Sequence, residues 1–341
     1  MTAIKETLTQ AIPKLAQHAI LVIGDVLLDE YLIGTASRLS REAPIPVLDF
    51  ESRQIIPGGA ANPAMNVAAL GGLATQIGVI GADSLGAELA DSLSAANIEA
   101  GGLVVDPERA TTLKTRIVSG GSLRFPQQLA RIDRIDRRPP APEIEAAIIE
   151  QIRRRAAHSR AMLVSDYRNG MLTPGVVRTS LDVATETGNL LVVDSQGNLD
   201  KYQGYHLIRA NQRDTERYLG RVLVTEADFS SAANELLTRL RAWGIVIGRG
   251  AEGVSLLGQG TPYRHFRPAN VTEVFDVTGA GDTSIAVLTL GLVAGLDLAQ
   301  AARLANYAAG LVVQKLGNAT ATPTELNEAI ERWHPDEDDE L

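Results

Sequence analysis

Five short apolar runs constrain this chain more than any other feature: AILVIG (19–24), AMLVS (161–165), LLVV (190–193), YHLIRA (205–210) and GIVIG (244–248). Runs of this length without polar alternation suit strands buried on both faces, the situation of a parallel sheet. Amphipathic helical patterns separate them, including EIEAAIIEQIRRRAA (143–157), PGVVRTSLDVATETG (174–188) and DFSSAANELLTRLRAWG (228–244). Strand and helix in alternation predict a doubly wound α/β fold with right-handed crossovers. The chain has 341 residues and is expected to form one such domain. Thr322, Pro323 and Glu325 give the capping-box signal of a last helix.

Two stretches break the alternation. Residues 26–56 and 103–135 are strand-like and rich in turn residues, without helical periodicity. They predict a small β subdomain inserted into the larger one as a lid. Its exposed strand edges would be covered by a second copy, so a homodimer through the lid is expected.

Four apolar runs end in a polar side chain: Asp25, Asp166, Asp194 and Asn211. Asp and Asn often do no more than start a turn. Open α/β sheets, however, bind ligands at the carboxyl ends of their strands, and four such residues on successive strands favour a site there.

Composition removes several function classes. The formal charge of −9 argues against a nucleic-acid surface, and part of it lies in an acidic tail, 335–341. Cysteine is absent, which excludes disulfides and thiolate metal sites. The five histidines show no metal-ligand spacing, and Arg153 to Arg155 read as a solvated helix face. No run has the length of a membrane span, and the N-terminal MTAIKETLTQAIPKLAQ has helical spacing without a signal peptide's apolar core, so a cytoplasmic protein is expected.

The chemistry points to DVTGAGD (276–282). VTEVF (271–275) alternates like a strand, and DTSIAVLTLGLVAG (282–295) reads as a buried helix closed by Gly295. A strand-to-helix turn aims unpaired N–H groups at an anion, and Gly279, Ala280 and Gly281 leave room for phosphate oxygens. Asp282 would repel that anion unless it had another task, and accepting the proton of an attacking hydroxyl is such a task. Asp is also a common N-cap, so the motif alone is weak. It lacks the GK[ST] of a Walker loop and the GxGxxG of a dinucleotide fold, which argues against a dehydrogenase.

DVTGAGD resembles the C-terminal signature of the PfkB (ribokinase-like) carbohydrate kinases, and GDVLLD (24–29) and PGGAANPAMNVAALG (57–71) resemble that family's sugar-binding segments. SRLSREAPIPV (37–47), QQLARID (127–133), SDYRNG (165–170), EVFDVTGAGDT (273–283) and VVQKLGNATATPTEL (312–326) are similar to its heptose 7-phosphate kinase branch. The resemblance covers residues 18–330 and implies a ribokinase-like doubly wound, mostly parallel sheet with a β lid. It implies ATP- and Mg²⁺-dependent phosphorylation of a sugar or sugar phosphate, heptose 7-phosphate to the 1,7-bisphosphate within that branch. Asp282 would then be the base and Gly279, Ala280 and Gly281 the anion hole. Asp29, Gly58, Gly59, Asn62 and Asp166 would hold the sugar, with Lys114 and Arg116 on its phosphate. Asn211, Gly248, Arg249, Gly250, Gly253, Asn306 and Lys315 would bind the nucleotide. Asp214 and Glu216 would meet Mg²⁺ through water.

The chain departs from the branch at three places. Asn169 and Gln196 stand where its members carry lysine, and Gly248 where they carry threonine. Two positive charges are therefore missing, with Arg168, Arg209 and Arg249 nearby in sequence. A kinase of another sugar, and a weakly catalytic sugar- or nucleotide-sensing module, stay open at this point.

Overall fold

The structure, a computed structural model, describes residues 3–120, 127–269, 274 and 276–332. Strands β1 (Ala19–Gly24), β4 (Leu73–Gly81), β5 (Glu99–Asp106), β8 (Ala161–Asp166), β9 (Leu190–Ser195), β10 (Leu207–Asn211), β11 (Gly244–Gly248), β12 (Val254–Gly258) and β13 (Thr261–Phe266) make one sheet. Their order is β13-β12-β11-β10-β9-β8-β1-β4-β5, parallel except where β12 pairs with its two neighbours. A second, mixed sheet holds β2 (Val26–Leu39), β3 (Pro46–Gly59), β6 (Leu113–Ser119) and β7 (Gln127–Arg134) in the order β3-β2-β6-β7. The helices are α1 (Ala3–Ala11), α2 (Ala61–Ala69), α3 (Ser84–Ala95), α4 (Pro142–Ala156), α5 (Pro174–Thr187), α6 (Gln212–Leu219), α7 (Glu226–Leu240), α8 (Ala280–Val293), α9 (Leu298–Val312) and α10 (Pro323–Arg332).

The unbroken apolar runs follow from burial on both faces. In β1, Ile20 and Val22 join the cluster packed with α2, α8 and α9, while Leu21 and Ile23 join the cluster packed with α4, α5 and α7. β8 divides in the same way, Leu163 to one side and Met162 and Val164 to the other. Each fully buried side chain of this kind contributes about 1.5–3 kcal/mol, so a polar residue on either face is costly. That is why alternation is missing from the sequence.

Helix boundaries have local causes. Thr173 caps α5 through Val176 N–H, and Gly188 ends it at φ +72°. Capping boxes open α7 (Thr225 with Asp228) and α9 (Asp297 with Gln300), and Thr322 and Glu325 exchange hydrogen bonds ahead of α10.

The site follows from the strand order. After β1 the chain moves to β4 and β5 on one side and returns at β8 to build the other side. The switch lies between β1 and β8, where Gly24 registers with Ser165. β2 starts immediately after Asp25 and β3 ends at Gly59, opposite Val26, so the small sheet springs from this carboxyl edge.

Two expectations change. Residues 103–106 belong to β5, which pairs in parallel with β4, so the second sheet takes only β6 and β7 from the stretch 103–135. Edge strands of a large sheet carry turn-rich flanks too, and the sequence of β5 does not distinguish the two. α8 starts at Ala280, so Asp282 stands in its first turn. Most of VTEVF and the acidic tail lie outside the described residues. Among the described residues no helix is long and apolar enough to cross a membrane.

Candidate active site

Gly279 is the N-cap of α8 at φ +78°. A Cβ there would lie 2.5 Å from Asn62 Nδ2 and 3.1 Å from Asn318 Oδ1, so both the backbone and the close approach require glycine. The two aspartates of DVTGAGD divide the work. Asp276 accepts from Thr278 N–H and Gly317 N–H, each at 2.9 Å, which fastens the turn to the segment after α9. Asp282 points inward and is 4 % exposed.

Among the described residues no cation pairs directly with Asp282. Asn62 Nδ2 donates to Oδ2 at 2.9 Å, and the Tyr167 hydroxyl lies 2.7 and 2.8 Å from its two oxygens. Burial pushes the carboxyl up to about 7, and the nearby Asp194 charge adds to the rise, while the Asn62 and Tyr167 hydrogen bonds and the Arg209 charge oppose it. A carboxylate that binds a proton near neutrality is suited to general-base work. Burial, reinforced by the Asp282 charge, holds the Tyr167 phenol well above its ordinary range, so Tyr167 remains a donor.

Asp25 sets the position of Tyr167. Its carboxylate accepts from the N–H groups of Tyr167 and Asn169 at 3.0 Å and Met171 at 3.2 Å, which clamps the segment after β8 onto the end of β1. Burial pushes the Asp25 carboxyl up to about 6, with the backbone hydrogen bonds opposing it. Gly59, at φ +59°, lets the α2 segment press on the same residue: a Cβ there would be 2.3 Å from Asp25 O.

The second sheet supplies the other wall. Asp29 pairs with Arg116 across β2 and β6 and accepts from Asn318 Nδ2 at 2.5 Å. A Cβ on Gly58 would sit 2.2 Å from Asp29 Oδ2, so this glycine is where the strand must pass the carboxylate. Lys114 Nζ lies 5.1 Å from the centroid of the Tyr167 ring, and desolvation lowers its pKa. Asp29, Gly58, Asn62, Lys114 and Arg116 are thus gathered beside Asp282.

On the far side of Asp282 opens a cleft of about 690 Å³ lined by Tyr167, Asp194, Gln196, Arg209, Asn211, Gly248, Gly250, Gly253, Asn306 and the Gly279–Asp282 turn, among others. A larger groove of about 860 Å³ lies at the amino edge of the strands, but its carboxylate, Asp297, only caps α9. The cleft at Asp282 is therefore where the chemistry can occur.

Several residues assigned from the sequence do not reach the cleft. Asp166 is buried beneath it, paired with Lys201 at 2.8 Å and accepting from Tyr202 Oη at 2.6 Å; its neighbour Tyr167 is the one that faces in. The Arg249 guanidinium stacks 3.9 Å from the Phe229 ring centroid and pairs with Glu226 and Glu252. Lys315 pairs with Glu325 at 2.6 Å and ties down α10. Asp214 is engaged by Arg217 and Asn211, and Glu216 by Gln212 and Leu223 N–H, so both carboxylates serve the fold of α6 and its flank. Of the three arginines near the missing lysines, Arg209 lines the cleft.

The sequence reading left Tyr167 and Asn318 without roles, although both lie in segments that carry the resemblance, SDYRNG and KLGNAT. The available signals were a hydroxyl one residue past Asp166 and an amide three residues past Lys315. Asp25 and Asp194 stand among the strand-end acids.

A mainly parallel sheet with a cleft at its carboxyl edge, and a buried carboxylate in the first turn of the helix bordering it, define an α/β enzyme of the group-transfer type. Comparison sharpens this. Residues 17–325 match the pfkB family carbohydrate kinase profile. The chain belongs to the pfkB family of carbohydrate kinases. It is 42 % identical over 316 residues to Bifunctional protein HldE of Caulobacter vibrioides, covering 91 % of this chain and 63 % of that protein. With Bifunctional protein HldE of Geobacter metallireducens the identity is 40 % over 319 residues, covering 93 % and 64 %. The chain therefore spans somewhat under two thirds of the length of these relatives. Among solved structures, Arabidopsis thaliana ribokinase complexed with ribose and ATP superposes with a TM-score of 0.71 at 17 % identity, covering 93 % of this chain and 99 % of that one. Escherichia coli phosphofructokinase-2 in complex with substrates and products gives 0.75 at 19 %, covering 93 % and 99 %. These two establish the shared fold.

Proposed function

We propose that this kinase transfers the γ-phosphoryl group of ATP to a hydroxyl of a sugar phosphate, with heptose 7-phosphate as the acceptor and heptose 1,7-bisphosphate as the product. The supporting observation is Asp282, buried, held by neutral donors and titrating near 7, in the first turn of α8 between two walls of polar residues. The relatives named HldE, similar over most of this chain, favour the heptose acceptor.

In this reading the acceptor hydroxyl gives its proton to Asp282, its oxygen bonds to the γ-phosphorus, and the bond to the bridging oxygen breaks to release ADP. The first-turn N–H groups of α8 and the helix dipole face the transferred group. Asp29, Asn62 and Asn318 orient the sugar hydroxyls, and Lys114 and Arg116 stand on the wall where the sugar's own phosphate would lie. Asn211, Gly248, Gly250, Gly253 and Asn306 take the nucleotide. Mg²⁺ would neutralise the phosphates. Among the described residues no group of three His, Cys, Asp or Glu could hold an ion directly, and Asp214 already has partners. The residues present would suit an ion that the nucleotide carries and that the protein meets through water.

The small sheet would act as a lid that keeps water from the phosphoryl group, and a second copy would cover its outer face. Leu39, Ile45, Phe50 and Ile132 on or beside its strands are 57–71 % exposed. Light scattering at micromolar concentration tests this: a dimer that becomes a monomer in Phe50→Asp is expected, and a monomeric wild type contradicts it.

ADP release across free sugars and sugar phosphates tests the acceptor. Heptose 7-phosphate is expected to give the highest kcat/KM. A higher value for an unphosphorylated sugar would overturn the assignment.

A further inference from the structure

Resting on the kinase reading, we propose that Arg209 is the residue that grips the nucleotide's phosphates, and that Gly248 and Gly281 lack side chains so that its guanidinium can lie against the anion turn. Three observations carry this. First, among the described residues lining the cleft, Arg209 is the one cation. Asp194 and Asp282 line it as well, and a nucleoside triphosphate brings further negative charge, so a positive group there has a large effect. The neighbouring cations Arg249 and Lys201 are committed to acids outside the cleft or beneath it.

Second, the guanidinium lies against glycine on two sides. A Cβ on Gly281 would stand 3.1 Å from Nη1 and 3.2 Å from Nη2, and one on Gly248 would stand 3.1 Å from Nη2. Contacts that short are tighter than ordinary van der Waals distance. A side chain at either position would push the guanidinium away from the first turn of α8. The glycine at 248, which ends β11, thereby has a physical explanation: it admits the arginine of the adjacent strand, two register steps before the Asn211–Gly248 pair.

Third, the side chain has hydrogen-bonding capacity left over. Nη1 donates to Asp194 Oδ1 at 2.7 Å, while Nε is buried without a partner. The Asp194 pair fixes the fork from behind and leaves Nη2, the atom nearest Gly248, toward the turn. A phosphate held there would be shared between the guanidinium and the N–H groups of α8, a charge-assisted geometry that a lysine reproduces only in part.

Calorimetry with ATP and, separately, adenosine distinguishes a phosphate grip from a structural role. Arg209→Gln is expected to weaken ATP binding about 100-fold, the value of a charged hydrogen-bonded contact, and to leave adenosine binding unchanged. Arg209→Lys should recover part of the loss. Gly248→Val, which keeps the arginine but displaces it, should weaken ATP about tenfold. Should Arg209→Gln fail to fold because Asp194 is left unpaired, Asp194→Asn with Arg209→Gln removes both charges and carries the same expectation. Wild-type affinity for ATP in a folded Arg209 variant, or equal losses for ATP and adenosine, would overturn the assignment while leaving the kinase reading intact. A wild type that binds no ATP would overturn both.

Discussion

Asp282 and Asp29 are two buried carboxylates in one site, and their surroundings differ in kind. Asp29 faces the guanidinium of Arg116 and the amide of Asn318. Asp282 is held by an amide and a phenol, both neutral. A cation in contact makes a carboxylate one half of an ion pair, an anchor. Neutral donors in a desolvated pocket hold it in place while leaving its affinity for a proton high. On the proposed reading, the contrast suits Asp282 to proton transfer and Asp29 to substrate binding, without appeal to sequence position.

Four variants or measurements break or sharpen that contrast. Asp282→Asn should keep the fold and lower kcat by about 10²-fold or more, the scale of a lost general base, with KM for the sugar little changed. Asp29→Asn should do the opposite, raising KM for the sugar at least about tenfold through loss of charged hydrogen bonds and lowering the melting temperature, since Arg116 is left without its partner. Steady-state kinetics on both variants checks the split; similar kcat losses in the two would erase the distinction.

Tyr167→Phe removes a donor that favours the ionised form of Asp282. Its kcat should fall by about tenfold, and the acidic limb of its rate profile should move to higher pH. An unmoved limb would show that the phenol does not act on the carboxyl.

The smallest effect is on stability. The Asp282 carboxyl is raised from 3.8 to about 7, so the folded state binds its proton more tightly than the unfolded state does. Stability from this group is present below pH 3.8, declines as pH rises, and is gone above about 7. Asp282→Asn should therefore melt a few degrees above wild type at pH 8 and about level with it at pH 4. A variant that melts lower at pH 8 would mean the ionised carboxylate stabilises the fold.

Legibility in the sequence followed physical range. The large sheet could be read because burial on both faces writes itself into contiguous runs such as AILVIG and GIVIG. The turn of α8, weak as a motif alone, could be read because GDVLLD and PGGAANPAMNVAALG accompany it in the same chain. β5 could not be separated from the second sheet, since edge pairing depends on a partner distant in the chain. Side-chain commitment was also out of reach. Arg209 and Arg249 look equivalent in sequence, yet one lies in the cleft and the other stacks on Phe229 between two glutamates. Asp166 and Tyr167 are adjacent, yet the acid that ends β8 turns to Tyr202 and the phenol after it to Asp282.

The pH dependence of kcat/KM tests the central claim most directly. Substrate phosphates titrate near pH 6, so the wild type must be compared with Asp282→Asn in the same buffers. The account predicts a wild-type rate that climbs through an apparent pKa near 7, and a residual rate in Asp282→Asn from which that limb has gone. The same limb in both proteins would contradict the role of Asp282 as the base.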